Sequence, residues 1–108
     1  MAARNHDIVE PKNIERIGEE NVLSSLKMQG WRAVTVTTDR DILANNPGGT
    51  LQLFRVKTAV APNSPSSLSD SERTAFVSKA NQMNAVPYEV KVQLSEKYKA
   101  VGIQYTQL

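Results

Sequence analysis

Three groups of ionisable residues have types and spacings that could do chemistry. On LQLFRVKTAV, residues 51 to 60, Arg55 and Lys57 lie two apart. Side chains alternate along a strand, so both project from one face, together with Leu51 and Leu53. Two cations on one face of an otherwise apolar strand call for anions, either protein carboxylates such as Glu19 or Asp41 in structural salt bridges, or phosphate groups. Asp39 and Asp41 flank Arg40 just upstream. An aspartate where a strand begins has its direction fixed by the backbone, and its oxygens suit magnesium; aspartate is equally a common turn residue. Glu19 precedes Val22, Leu23 and Leu26 by offsets that all return to the same helical face. A carboxylate on that stripe has a partner or a function if it is buried, and is simply solvated if it lies in an exposed first turn, where the helix dipole favours acids.

Other chemistries are excluded by what the chain lacks. Without cysteine there are no disulfides, thiol nucleophiles or thiolate metal sites. His6 is the sole histidine and falls in a charged N-terminal stretch, so no histidine triad or multi-histidine metal site can be assembled within one chain. Gly48 and Gly49 are not followed by the lysine and hydroxyl residue of a phosphate-binding loop. One tryptophan, three tyrosines and two phenylalanines are spread along the chain without forming a base-stacking platform. No apolar run approaches the roughly 18 residues of a membrane span, and the N-terminus lacks the apolar centre of a signal peptide. The expected location is cytoplasmic. Thirteen basic and 11 acidic residues give a net charge of +2, dispersed along the chain, which permits a nucleic-acid partner without specifying one.

The elements that must position these residues follow from pattern. With 108 residues, of which 40% are apolar and 22% charged, the chain suits one compact domain, residues 13 to 108, behind an N-terminal arm of residues 1 to 12. A helix is expected from Asn13, as N-cap, to Gln29, with Gly30 as its stop. Val22, Leu23 and Leu26 form one face, with Ile14, Ile17 and Met28 on another; Gly18 marks a kink or the helix start. Trp31 is expected to pack at the helix exit.

Strands are expected over 32 to 37, 41 to 45 and 51 to 60, the last two joined as a hairpin by NNPGGT. Ser69 and Glu72 fit a capping box for a second helix, 70 to 84, with Phe76, Ala80 and Met83 at helical spacing. VPYEVKVQL alternates, with Tyr88, Val90, Val92 and Leu94 on one face. Glu89, Lys91 and Gln93 fall on the other, expected to be a solvated polar face, and KYKAVGIQY pairs back as a hairpin. The order α-β-β-β-α-β-β implies an α/β sandwich of mixed sheet covered by helices.

GEENVLSSLKMQGWRAV, DILANNPGGTLQLFRVKTAV and PYEVKV, in this order, resemble the restriction-endonuclease-like superfamily of PD-(D/E)XK nucleases and Holliday-junction resolvases, over roughly residues 14 to 93. The resemblance implies a restriction-endonuclease-like sandwich in which Glu19 matches the helix acid, Asp41 the metal-binding aspartate and Lys57 the catalytic lysine. Glu19 and Asp41 would then be the magnesium ligands of an active enzyme. Arg55 is the departure, standing where the family has an acid or glutamine. A positive charge about 5 Å from a divalent ion costs on the order of 6 kcal/mol at an effective dielectric of 20, and a guanidinium has no lone pair to offer the metal. Glu89 and Lys91 match the acid-x-lysine spacing better, but their strand follows a helix instead of completing a hairpin opened by an aspartate.

Three functions follow as expectations. In the first, a nuclease-like domain has lost or weakened metal-dependent phosphodiester hydrolysis, needs no cofactor, and contacts DNA or another nucleic acid through Arg40, Arg55 and Lys57. In the second, an active magnesium-dependent endonuclease uses Glu19 and Asp41 as an altered ligand set. In the third, the chain is a protein-interaction module whose basic pair is structural, with the last strand pairing edge to edge in a homodimer.

Overall fold

The computed structural model describes residues 11–108. Residues 1 to 10 of the expected arm, His6 among them, lie outside this range. Helix α1 spans Pro11–Met28. Proline suits a first helical position, where its missing N–H would have had no partner. The helix therefore starts before Asn13, which lies within its first turn and is not the N-cap. At the other end Gly30 adopts φ +87°. Its N–H donates to the Lys27 carbonyl at 3.1 Å, and the Trp31 N–H reaches the Leu26 carbonyl at 3.0 Å. This paired closure is the Schellman arrangement, which needs the left-handed residue that glycine supplies.

Five strands follow the helix: β1 (Arg32–Val36), β2 (Ile42–Asn45), β3 (Leu51–Val60), β4 (Val86–Leu94) and β5 (Ala100–Gln107). Helix α2 (Asp70–Gln82) connects β3 to β4. The sheet order is β1-β2-β3-β4-β5. Only β3 and β4 run parallel, the pair that a helical crossover must join. Among the described residues the fold is thus α/β, with two helices and an open five-stranded mixed sheet in the order α-β-β-β-α-β-β.

Alternation along β3 divides the core between the two faces. Phe54 and Val56 join Val22 and Leu26 of α1, together with Ile42, Ala44, Val90 and Val92. Leu53 faces the other way, toward Phe76 and Ala80 of α2. Burying each of these large side chains contributes about 1.5–3 kcal/mol. Ile14 and Ile17 pack against the same core as Val22, because the helix lies flat enough to use a wide stripe. Met28, expected to share their face, is 87% exposed on the last turn.

The pairing of β3 is unequal on its two sides. Strand β2 pairs with Leu51 to Phe54 only, while β4 pairs from Gln52 to Val60. Beyond Phe54 the outer side of β3 has no strand partner among the described residues, and α1 lies along it. A methyl group on Gly18 would stand 1.8 Å from Thr58 Oγ1, so Gly18 is a close-approach residue and not a kink or a helix start. One turn earlier, the Glu15 carboxylate accepts the Thr58 backbone N–H at 3.1 Å. No helix among the described residues is long and apolar enough to cross a membrane.

Candidate functional site

The site forms where β2 parts from β3. Ile42 opposite Phe54 is the pair next to this fork, and the next residues outward are Asp41 and Arg55. Asp41 is fully buried. The Arg55 Nε donates to its Oδ1, and Nη2 donates to Oδ2 at 3.1 Å. Lys79 of α2 donates to the same Oδ2 at 2.8 Å, and to Asp39 Oδ2 at 2.9 Å. Two cations therefore hold one buried carboxylate. Removing one member of such a cluster leaves buried charge uncompensated, which is far costlier than the cluster's net contribution to stability. The Arg55 guanidinium also lies over the Phe76 ring, 4.9 Å from its centre, a cation–π contact that fixes its plane.

The turn before β2 sets the remaining charges. The Asp41 N–H donates to Thr37 Oγ1 at 3.1 Å, and the Arg40 N–H to the Thr37 carbonyl at 2.9 Å. Arg40 occupies the left-handed region at φ +67°, uncommon for a non-glycine residue. From there its guanidinium donates to Glu19. Glu19 lies in the body of α1 and is only 7% exposed, so the alternative of a solvated first-turn acid does not hold. A buried carboxylate on the apolar stripe has found a partner from the facing turn.

Ionisation follows these contacts. Hydrogen bonding to Asp41 raises the Arg55 pKa further, against the opposing effect of burial. Burial works against the charge on Lys79, but bonds to Asp41 and Asp39 outweigh it and raise its pKa. The hydrogen bond from Lys79 lowers the Asp39 pKa. Burial raises the Glu15 pKa; the Thr58 N–H and the charge of Lys57 oppose it.

Beside this cluster opens a cleft of about 550 Å³ whose walls include Glu19, Arg40, Arg55 and Lys57, with Arg16 of α1 and Glu72 of α2. Asp41 is absent from the wall, behind Arg55. Arg40 is committed to Glu19, and Arg55 to Asp41. Lys57 and Arg16 make no ion pair among the described residues. Lys57 instead sits in the field of Glu15 and Glu72.

Glu19 and Lys57 thus share one cleft, whereas Glu19 and Asp41 are each taken up by a different arginine. No three His, Cys, Asp or Glu side chains among the described residues are grouped to hold a metal ion. The oxygens that would face magnesium already accept hydrogen bonds from cations, so this donor set does not fit the ion.

Glu89 and Lys91 correct the expectation of a solvated face. In the parallel register Glu89 lies beside Arg55 and Lys91 beside Lys57. Glu89 is 6% exposed and accepts the Leu68 N–H at 2.7 Å, while Lys91 donates to Ser67 Oγ at 2.7 Å. The segment after β3 folds back over these strands, which alternation within β4 could not reveal. Two participants were not foreseen. Glu15 had a signal, since it stands four residues before Glu19 and three before Gly18 on the same helical face. Lys79 had none, because its partner comes from a turn 40 residues away.

No protein-family model matches the chain, and no curated protein matches it.

Proposed function

We propose that this chain is a nuclease-like domain of the restriction-endonuclease-like sandwich type, without metal-dependent hydrolysis, that binds nucleic-acid phosphates at the cleft beside β3. The reading rests on the resemblance of DILANNPGGTLQLFRVKTAV to the PD-(D/E)XK hairpin. One observation carries it: Arg55, in the place of the family's acid, makes a two-point pair with Asp41, the residue that matches the metal-binding aspartate. On this reading an internal cation stands in for the family's ion, with the cleft open beside it. Lys57 and Arg16, free of ion pairs among the described residues, are the primary phosphate contacts. Arg40 and Arg55 line the wall as ion pairs with Glu19 and Asp41, and Glu15, Asp39 and Glu72 also face it.

The test is fluorescence anisotropy with single-stranded, duplex and four-way-junction DNA at about 50 and 200 mM salt. Binding should weaken steeply with salt, because each phosphate contact releases counterions. Lys57→Ala should weaken binding to all sequences alike and reduce the salt slope by about one. The same samples incubated with magnesium or manganese should remain uncut. Absence of binding at low salt defeats the reading, and cleavage abolished by Lys57→Ala would favour the active endonuclease instead.

A further inference from the structure

A second pocket, about 210 Å³, lies on the α1 face of the sheet beside the C-terminal end of the helix. Its walls are aromatic: Trp31, Phe54, Tyr88 and Tyr105. Phe54 is the hub, with ring centres 5.4, 5.5 and 5.9 Å from those of Trp31, Tyr88 and Tyr105. Sequence reading found no aromatic platform because these four residues come from four separate segments. The fold gathers them.

Within this apolar wall stands Gln52, whose residue is only 9% exposed. Nearby polar groups are engaged: Gln29 donates to Ser25 Oγ at 2.9 Å, Tyr88 donates to Gln107 at 3.4 Å, and the Tyr105 hydroxyl bonds Ser25. The Gln52 amide makes no side-chain hydrogen bond among the described residues, yet it is not sealed in. Among the described residues Thr58 Oγ1, outside this pocket, is the sole fully enclosed side-chain polar atom without a partner. Gln52 therefore presents an unpartnered donor and acceptor to the pocket it lines. With no protein partner and open to the pocket, this amide is free to bond a ligand that enters among the aromatic rings.

We infer that this pocket binds a single heteroaromatic base, held between aromatic side chains and read by the Gln52 amide through an adjacent donor and acceptor on the base edge. Adenine carries such a pair at N6 and N7, the edge that glutamine recognises in two-point fashion, while the other bases carry theirs on the Watson–Crick edge. Aromatic side chains supply the contact surface for unstacked bases. The volume corresponds to about seven waters at about 30 Å³ each, which suits a one- or two-ring heterocycle and falls short of the ~300 Å³ of sites for larger ligands. No residue of the cleft beside β3 takes part, so the inference does not depend on the function proposed for that cleft.

The protein carries its own reporter, since Trp31 is its single tryptophan and lines the pocket. Its emission would be followed, with excitation at the red edge, during titration with adenosine and, separately, with short oligo(dA) and oligo(dT). Saturable quenching by adenosine that Gln52→Leu weakens at least tenfold supports the inference. Quenching by oligo(dA) alone, with the same dependence on Gln52, also supports it and identifies a strand-borne base as the source. 7-Deazaadenosine, which lacks the N7 acceptor, tests the same bond from the ligand side in the unaltered protein and should bind at least tenfold more weakly than adenosine. Three results would overturn the inference: no saturable response to adenosine or oligo(dA), a response that neither Gln52→Leu nor 7-deazaadenosine diminishes, or equal binding of phenol or indole, which would mark an apolar socket for a partner's side chain.

Discussion

Arg55 and Asp41, on neighbouring strands where β2 leaves β3, form a two-point ion pair whose carboxylate is wholly buried. Lys79 joins from the helix that packs over them. Arg55→Ala should cost about 3 kcal/mol, at the lower end of the range for breaking a buried pair, because Lys79 still neutralises Asp41. Arg55→Ala combined with Lys79→Ala should cost more than the sum of the single changes, since only then is the carboxylate left alone. Urea denaturation measures all three; simple additivity would show that the two cations do not share Asp41.

Arg55→Glu exchanges the internal cation for a second carboxylate beside Asp41. Manganese should raise the melting temperature of this variant by several degrees and leave the unaltered protein unchanged, because only a binding-competent folded state is stabilised by ligand. Equal response of both proteins would place any metal effect elsewhere.

Gly18→Ala forces a methyl group into Thr58. Overpacking of this kind typically costs about 1–3 kcal/mol. Thr58→Ala removes an enclosed hydroxyl that lacks a partner and should be nearly neutral alone, yet it should recover part of the loss when combined with Gly18→Ala. Thermal melts of the four proteins decide the matter.

Glu15 carries a pH prediction. Burial raises its folded pKa above the ordinary carboxylate value, so the folded state holds the proton more tightly than the unfolded chain. Its contribution to stability is fully present below the unfolded pKa and is lost as pH rises through the folded pKa. Glu15→Gln keeps an acceptor for the Thr58 N–H and cannot ionise. It should match the unaltered protein at acid pH and exceed it in stability near neutrality, as read from denaturation midpoints across pH 4 to 8.

The capping box at α2 is reciprocal: Glu72 N–H donates to Ser69 Oγ at 3.2 Å, and Ser69 N–H to the Glu72 carboxylate at 3.0 Å. Ser69→Ala should destabilise the protein by about 1 kcal/mol. The Glu72 pKa is lowered chiefly by the Ser69 N–H. Its stabilisation is therefore present above the unfolded pKa and lost as pH falls through the folded one, a dependence that Glu72→Gln should remove.

Local rules made much of the fold legible in the sequence. The Gly30 stop, the Ser69 cap and the full length of β3 were each written in a few adjacent residues, and these agree with the structure. Alternation in β4 found the buried face of Tyr88, Val90, Val92 and Leu94, but it treated the opposite face as solvent. What covers Glu89 is a loop that returns from β3, and strand periodicity carries no information about such a return. The candidate site divides in the same way. Arg55 stood out by breaking a strand pattern, and Glu19 by interrupting an apolar stripe. Asp41 was one of the two acids expected to pair with the cations of β3, and it does pair with Arg55; Arg40 was visible as a residue but not as the partner of Glu19, because a turn with Arg40 in a left-handed conformation aims it. Lys79 shows no pattern of its own, since its role exists only once α2 has packed across the fork.

The unequal pairing of β3 has a consequence for how the molecule behaves among others. A long strand with half of one side unmatched would be a template on which any extended chain could settle. Here the vacant side is covered by α1, and the Glu15 carboxylate answers one of its main-chain donors. An incoming strand would have to lift the helix at the glycine that seats it. A fork that opens a cleft is thereby kept from becoming a seed for aggregation.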